Sequence, residues 1–218
     1  ETDVNFLGCT TFTGCPWDVA AATAHCAATT CFIRTWYDQS GAVRDLVQAT
    51  AGSQPQLLFG CTGSLPCART TAAQDLTGAG TVLFRSGVVS LSAVADRVSG
   101  TGICAHRQNG SNNRLSATSG LANNWSLAAG TALSVTANDN VWHAAQGVIN
   151  GAGTVVSIDG TETTGTVAGS VAVGAHQIVG VAATTCNFGE FVVWDNYALT
   201  PAERAFLRNN QQAFWGTP

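Results

Sequence analysis

Methionine and lysine are missing from this sequence altogether, and charged residues of every kind make up only 10% of it. The nine basic residues are all arginine, the formal net charge is −4 and the isoelectric point is near 5.4. The chain therefore lacks the basic stripe that a phosphate backbone requires, which excludes nucleic acid as a partner. No apolar run approaches the roughly 18 residues that span a bilayer. The strongest stretch, GTVLFRSGVVSL, is broken by Arg85 and reads as strand, so no membrane insertion is expected. The four histidines, His25, His106, His143 and His176, are scattered without metal-ligand spacing, and no Gly-x-Ser-x-Gly elbow occurs. Neither a metal, a cofactor nor a serine-hydrolase triad is expected. With no repeat, linker or low-complexity tract to divide it, the chain reads as a single domain, residues 1–218. The lack of methionine fits a mature form whose initiator left with a signal peptide.

What is present is apolar and rich in small residues. Hydrophobic residues reach 45%, too many for a disordered chain. Eight cysteines, an even count, point to an oxidised, secreted or cell-surface protein, with structural zinc as the alternative. Zinc sites repeat short gaps twice over; here the gaps differ. Cys9 and Cys15, Cys26 and Cys31, and Cys61 and Cys67 are close pairs, while Cys104 and Cys186 stand far apart. Pairing in that order is predicted, with the short bridges clamping local turns and the long one contributing on the order of 4 kcal/mol by chain entropy. Other connectivities remain open to eight cysteines.

Short apolar runs separated by Gly, Thr, Ser and Ala recur along the chain, several of them alternating polar with apolar as half-buried antiparallel strands do. Asp159-Gly160, inside VVSIDGTETTGTV, has the chemistry of a tight hairpin turn. Thr200-Pro201-Ala202-Glu203 supplies an N-cap, a proline at the first helical position and a capping-box glutamate, predicting a helix to about Phe214. WDVAAATAHCA, residues 17–27, is a second helical candidate and TTAAQDL a third. Two packed antiparallel sheets are the simplest architecture.

Two segments carry a resemblance. CAATTCFIRTWYDQSGAVRDLVQATAGSQP, residues 26–55, resembles the start of the catalytic domain of arabinofuranosidase B enzymes, where a short cysteine pair precedes a strand and a Tyr-Asp-Gln-Ser-Gly turn. FGEFVVWDNYALTPAERAFLRNNQ, residues 188–211, is similar to the last strand and closing helix of laminin-G-like, concanavalin-A-like jelly rolls. The resemblance implies an all-β, two-sheet jelly-roll sandwich with a short C-terminal helix, and it implies fold more strongly than function. Within YDQSG, Asp38, Ser40 and Gly41 are turn formers. Trp36 and Tyr37 point to opposite faces of a strand, so that one belongs to the core and the other to the surface.

The resemblance also brings a test of chemistry. A retaining glycosidase needs two carboxyl groups roughly 5 Å apart. Where the family carries its glutamate this sequence reads ALSVTANDNVWH, with Asp139 as the one carboxylate; where the family carries its aspartate it reads QIVGVAATTCNFGEF, with alanine and threonine. The vicinal cysteine pair that the family places against the sugar is missing too. A non-catalytic module is therefore expected, with Asp139 as the one candidate catalytic residue if arabinofuranosides are hydrolysed. Carbohydrate remains the implied partner, since an exposed aromatic ring beside amides and carboxylates suits a sugar. Asn124 with Trp125, and Asp139 with Trp142, are the candidate binding residues. Asn109 and Asn124 open glycosylation sequons. A third class is structural: a self-associating protomer of a surface layer or filament, whose N-terminal ETDVNFLGCTTF adds a strand to a neighbour.

Overall fold

The computed structural model describes residues 19–38, 45–71, 74–78, 87–100, 103–108, 114–118, 124–129, 131–137, 140–167, 176–181 and 184–218. Cys9, Cys15, the N-terminal ETDVNFLGCTTF segment, Asn109 and Asp139 lie outside the described residues.

A short helix, α1 (Val19–Cys26), is followed by β1 (Thr35–Trp36), β2 (Leu46–Val47), β3 (Gln56–Thr62), β4 (Leu65–Thr70) and β5 (Asp75–Gly78). The long β6 (Val89–Ser99) leads into β7 (Ile103–Gln108), β8 (Arg114–Thr118), β9 (Asn124–Ala129) and β10 (Thr131–Thr136). The chain continues through β11 (His143–Ile149), β12 (Thr154–Ile158), β13 (Thr161–Gly165), β14 (His176–Val181) and β15 (Thr185–Asp195), and closes with α2 (Pro201–Trp215). Two antiparallel sheets result, one ordered β1-β2-β5-β14-β7-β8-β9-β10 and the other β13-β12-β11-β6-β15-β4-β3. The fold is the two-sheet antiparallel sandwich that the sequence predicts. TTAAQDL is not a helix in its described part: it runs from the end of β4 through Thr71 and Gln74 into β5. Its alanines lend helical propensity, but the sheet ladder on either side claims the backbone hydrogen bonds.

Alternation decides what lies between the sheets. Leu46, Leu76, Leu115, Trp125, Leu127 and Ile178 of the first sheet meet Leu91, Ala93, Ala145, Val156, Ile158 and Phe188 of the second in one buried cluster. Trp36 joins it by packing on Phe191, ring centroids 4.8 Å apart, while Tyr37 is exposed. Cys104 on β7 and Cys186 on β15 are disulfide-bonded across this core, 82 residues apart, so the long predicted bridge ties one sheet to the other. Cys26–Cys31 and Cys61–Cys67 form as predicted.

The hairpin β12–β13 turns on Asp159 and Gly160, with φ of 51° and 90°. Two positive φ values in succession match the right-handed twist of the flanking strands. Helix α2 starts with the predicted capping box: the Thr200 hydroxyl accepts from Glu203 N at 3.3 Å and the Glu203 carboxylate accepts from Thr200 N at 2.8 Å. It ends one residue beyond Phe214, at Trp215, because Gly216 takes the left-handed φ of 66° and returns its N–H to Gln212.

Helix α2 covers the outer face of the seven-stranded sheet through polar contacts. Gln211 bonds Ser92 at 3.0 Å and Glu190 at 3.1 Å, Trp215 Nε1–H donates to Glu190 at 3.1 Å, and the Gln146 amide donates to the Arg204 carbonyl at 3.1 Å. No described helix is long and apolar enough to cross a membrane.

Candidate functional site

The outer face of the eight-stranded sheet is built by strand parity. Leu76 and Ile178 pair with each other and both point into the core, so their neighbours Asp75, Thr77 and Gln177 point outward. Thr35, Val47, Thr77 and Gln177 lie in one cross-strand row over β1, β2, β5 and β14. Next to that row, side chains of β5 and β14 converge with that of Gln48, the residue after β2. Asp75 Oδ1 accepts from Gln48 Nε2 at 2.5 Å; Asp75 Oδ2 accepts from Gln177 Nε2 at 2.6 Å and from the Thr77 hydroxyl at 2.9 Å. Gln48 is itself held: its Oε1 accepts from Thr50 N at 3.0 Å, and its backbone carbonyl accepts from Gln54 Nε2 at 2.9 Å. Gln177 is buried, whereas Asp75, Thr77 and Gln48 are half-buried. Asp38 N donates to Asp45 Oδ1 at 2.8 Å just before β2, and the Tyr37 ring is exposed.

The candidate residues chosen from sequence are not brought together. Asn124 is on the outer face of the eight-stranded sheet, where its Oδ1 accepts from the Thr136 hydroxyl at 3.1 Å. Trp125, the next residue, points the other way: it is 3% exposed, sits in the core and meets His143 edge-on at 5.8 Å. The expectation that it forms a surface platform, or packs on a glycan at Asn124, is corrected by the pleat itself, which sends consecutive side chains to opposite faces. Trp142 is half-buried on the far side of the sandwich, stacked on Trp215 of α2 at 6.0 Å and 12°. No shared site forms from these two tryptophans. Gln48 and Gln177 carry no local signal in sequence, because residues 27 and 102 positions from Asp75 meet it only through sheet pairing.

Asp159, Glu162, Glu190 and Glu203 are each tied to structural partners. Glu162 receives two N–H groups of Arg204, both at 2.9 Å, and that guanidinium holds its carboxyl below the usual range against the opposing effect of burial. The Tyr197 hydroxyl and the Thr200 cap likewise lower Glu203, while Tyr197 itself is raised by that carboxylate. Glu190 accepts from Gln211 and Trp215, and Asp96 from Asn187 Nδ2 at 3.3 Å. Asp159 accepts from His143 Nδ1 at 2.5 Å and from Ala144 N at 2.9 Å, so the hairpin residue also anchors a buried histidine. Among the described residues no group of three or more His, Cys, Asp or Glu side chains could hold a metal ion.

No protein-family model matches the chain, and no curated protein matches it. Among solved structures it is similar to a GH54 α-L-arabinofuranosidase soaked with a cyclic sulfate inhibitor, with a TM-score of 0.71 and 14% identity over 91% of this chain and 54% of that one. An arabinofuranosidase complexed with arabinofuranosyl-α-1,2-xylobiose gives a TM-score of 0.72 at the same identity and coverage. The binding domain of botulinum neurotoxin serotype D gives 0.53 at 11% identity, over 86% of this chain and 54% of that one. The chain spans about half the length of each of these structures. Its fold is thus similar to the arabinofuranosidase sandwich, at an identity that speaks for the fold alone.

Proposed function

We propose that this chain is a non-catalytic carbohydrate-recognition module of a secreted or cell-surface protein, folded as one domain over residues 1–218. The observation that carries the reading is the commitment of five carboxylates, Asp75, Asp159, Glu162, Glu190 and Glu203: in a sandwich similar to that of an arabinofuranosidase, they are tied to a guanidinium, an imidazole, amides, hydroxyls and an indole. A glycosidase needs instead a pair facing each other across a cleft. The kinship in fold supports carbohydrate as the partner, and three disulfides among the described residues support export to an oxidising compartment.

The second reading is hydrolysis of arabinofuranosides, favoured by the same structural likeness and drawing on Asp139. A chromogenic arabinofuranoside assay run beside a glycan array separates the two. Retention on the array without turnover supports recognition. Turnover that Asp139→Asn abolishes establishes the hydrolase, and retention of no glycan ends the carbohydrate reading in favour of a structural protomer.

A further inference from the structure

The polar cluster on the outer face of the eight-stranded sheet has hydrogen-bonding capacity left over, and counting locates it. An ionised carboxylate offers about four acceptor positions. Asp75 uses three of them, one on Oδ1 for Gln48 and two on Oδ2 for Gln177 and Thr77, which leaves one position on Oδ1. The Gln48 amide spends one hydrogen on Asp75 and its oxygen on Thr50 N, which leaves one N–H. Gln48 Nε2 and Asp75 Oδ1 are 2.5 Å apart, so the spare donor and the spare acceptor sit side by side. Around them the cluster is closed: Gln177 Nε2 donates to Asp75 at 2.6 Å and to the Thr77 oxygen at 3.1 Å, and the Thr77 hydroxyl hydrogen goes to Asp75.

We propose that Asp75 and Gln48 form a binding site for the hydroxyl groups of a neutral sugar, resting on the carbohydrate reading given above. A hydroxyl both donates and accepts, so one hydroxyl, or two on neighbouring ring carbons, satisfies the spare pair. A carboxylate on the ligand only accepts, and it meets the Asp75 charge on a chain of net charge −4. An ammonium only donates and leaves the amide hydrogen unmet. The site is set before any ligand arrives. Gln48 is fixed through Thr50 N and Gln54, and Gln177 is 6% exposed, so little side-chain freedom is lost on binding.

Titration of the full chain with arabinofuranosyl-α-1,2-xylobiose, a panel of neutral oligosaccharides and an oligogalacturonate tests this. Asp75→Asn and Gln48→Leu are expected to weaken binding of a neutral ligand by about 10- to 100-fold each, the loss of a hydrogen bond at a charged group. Thr136→Ala, at the opposite edge of the same sheet, is expected to change nothing. Melting curves accompany each variant, and if Asp75→Asn fails to fold, the half-buried Gln48 position carries the test. Wild-type binding that both variants retain overturns the site while the recognition function stands. Preference for the oligogalacturonate overturns the neutral class. A wild-type chain that binds no member of the panel overturns the recognition function itself, and the site with it.

Discussion

Gly189 lies at the register shift of β15 between Phe188 and Glu190, directly beneath the ring of Trp215. A Cβ at this position would stand 2.7 Å from Cη2 and Cζ3 of that ring and 3.0 Å from Cε3, well inside the roughly 3.5–4.0 Å at which carbon atoms rest. The ring has nowhere to go. It stacks on Trp142, meets Phe214 edge-on at 5.5 Å and donates its indole N–H to Glu190. Gly189→Ala therefore overpacks the joint between helix and sheet, at a cost of about 1–3 kcal/mol. For a chain of this size each kcal/mol lowers Tm by about 2–4 °C, giving an expected fall of about 2–12 °C. Alanine is otherwise favoured over glycine inside a strand by about 0.5–1 kcal/mol, so a net loss is attributable to the ring. Urea unfolding should show a lower midpoint with an unchanged slope. On a Trp215→Leu background the added methyl has room, and Gly189→Ala should then cost less than about 0.5 kcal/mol, a coupling of about 0.5 kcal/mol or more. A neutral single variant, or an equal cost on both backgrounds, refutes the packing described.

Replacing both Cys104 and Cys186 by alanine frees a loop closed over 82 residues and should cost about 4 kcal/mol in urea unfolding; a loss under about 1 kcal/mol would show that the bridge does not constrain the unfolded chain. The Glu162 carboxyl is held below its ordinary 4.5 chiefly by Arg204, so the stability from this pair is present above that pH and lost as pH falls through the lowered value. With the carboxylate side chain 34% exposed, screening limits the contribution to about 0.5–1 kcal/mol, and Tm measured against pH should show Glu162→Gln closing the gap with wild type in acid. Trp125→Ala should cost about 3–5 kcal/mol as a core deletion, while Trp125→Phe leaves glycan binding unchanged; a selective loss of binding in the phenylalanine variant would return Trp125 to the surface.

The features legible in the sequence are those that local chemistry dictates. Thr200, Pro201 and Glu203 specify a helix start within four residues, Asp159-Gly160 specifies a turn through backbone conformation, and period-two alternation specifies half-buried strands. Three cysteine pairings also followed from spacing. What spacing could not carry was the identity of faces and partners. Trp125 beside an asparagine sequon reads as a surface ring until the register of β9 against β8 and β10 turns it inward. Trp142 reads the same way until α2 lays Trp215 upon it. Asp75 reads as an ordinary carboxylate until β2 and β14 bring Gln48 and Gln177 to its two oxygens from 27 and 102 residues away. By itself the sequence determined the closing helix, the Asp159-Gly160 turn and the strand-rich character of the chain, because those preferences act over a few bonds, while TTAAQDL went to the sheet against its helical propensity. Only the tertiary structure decided which side chains share a face, because sheet order joins residues that no local rule relates.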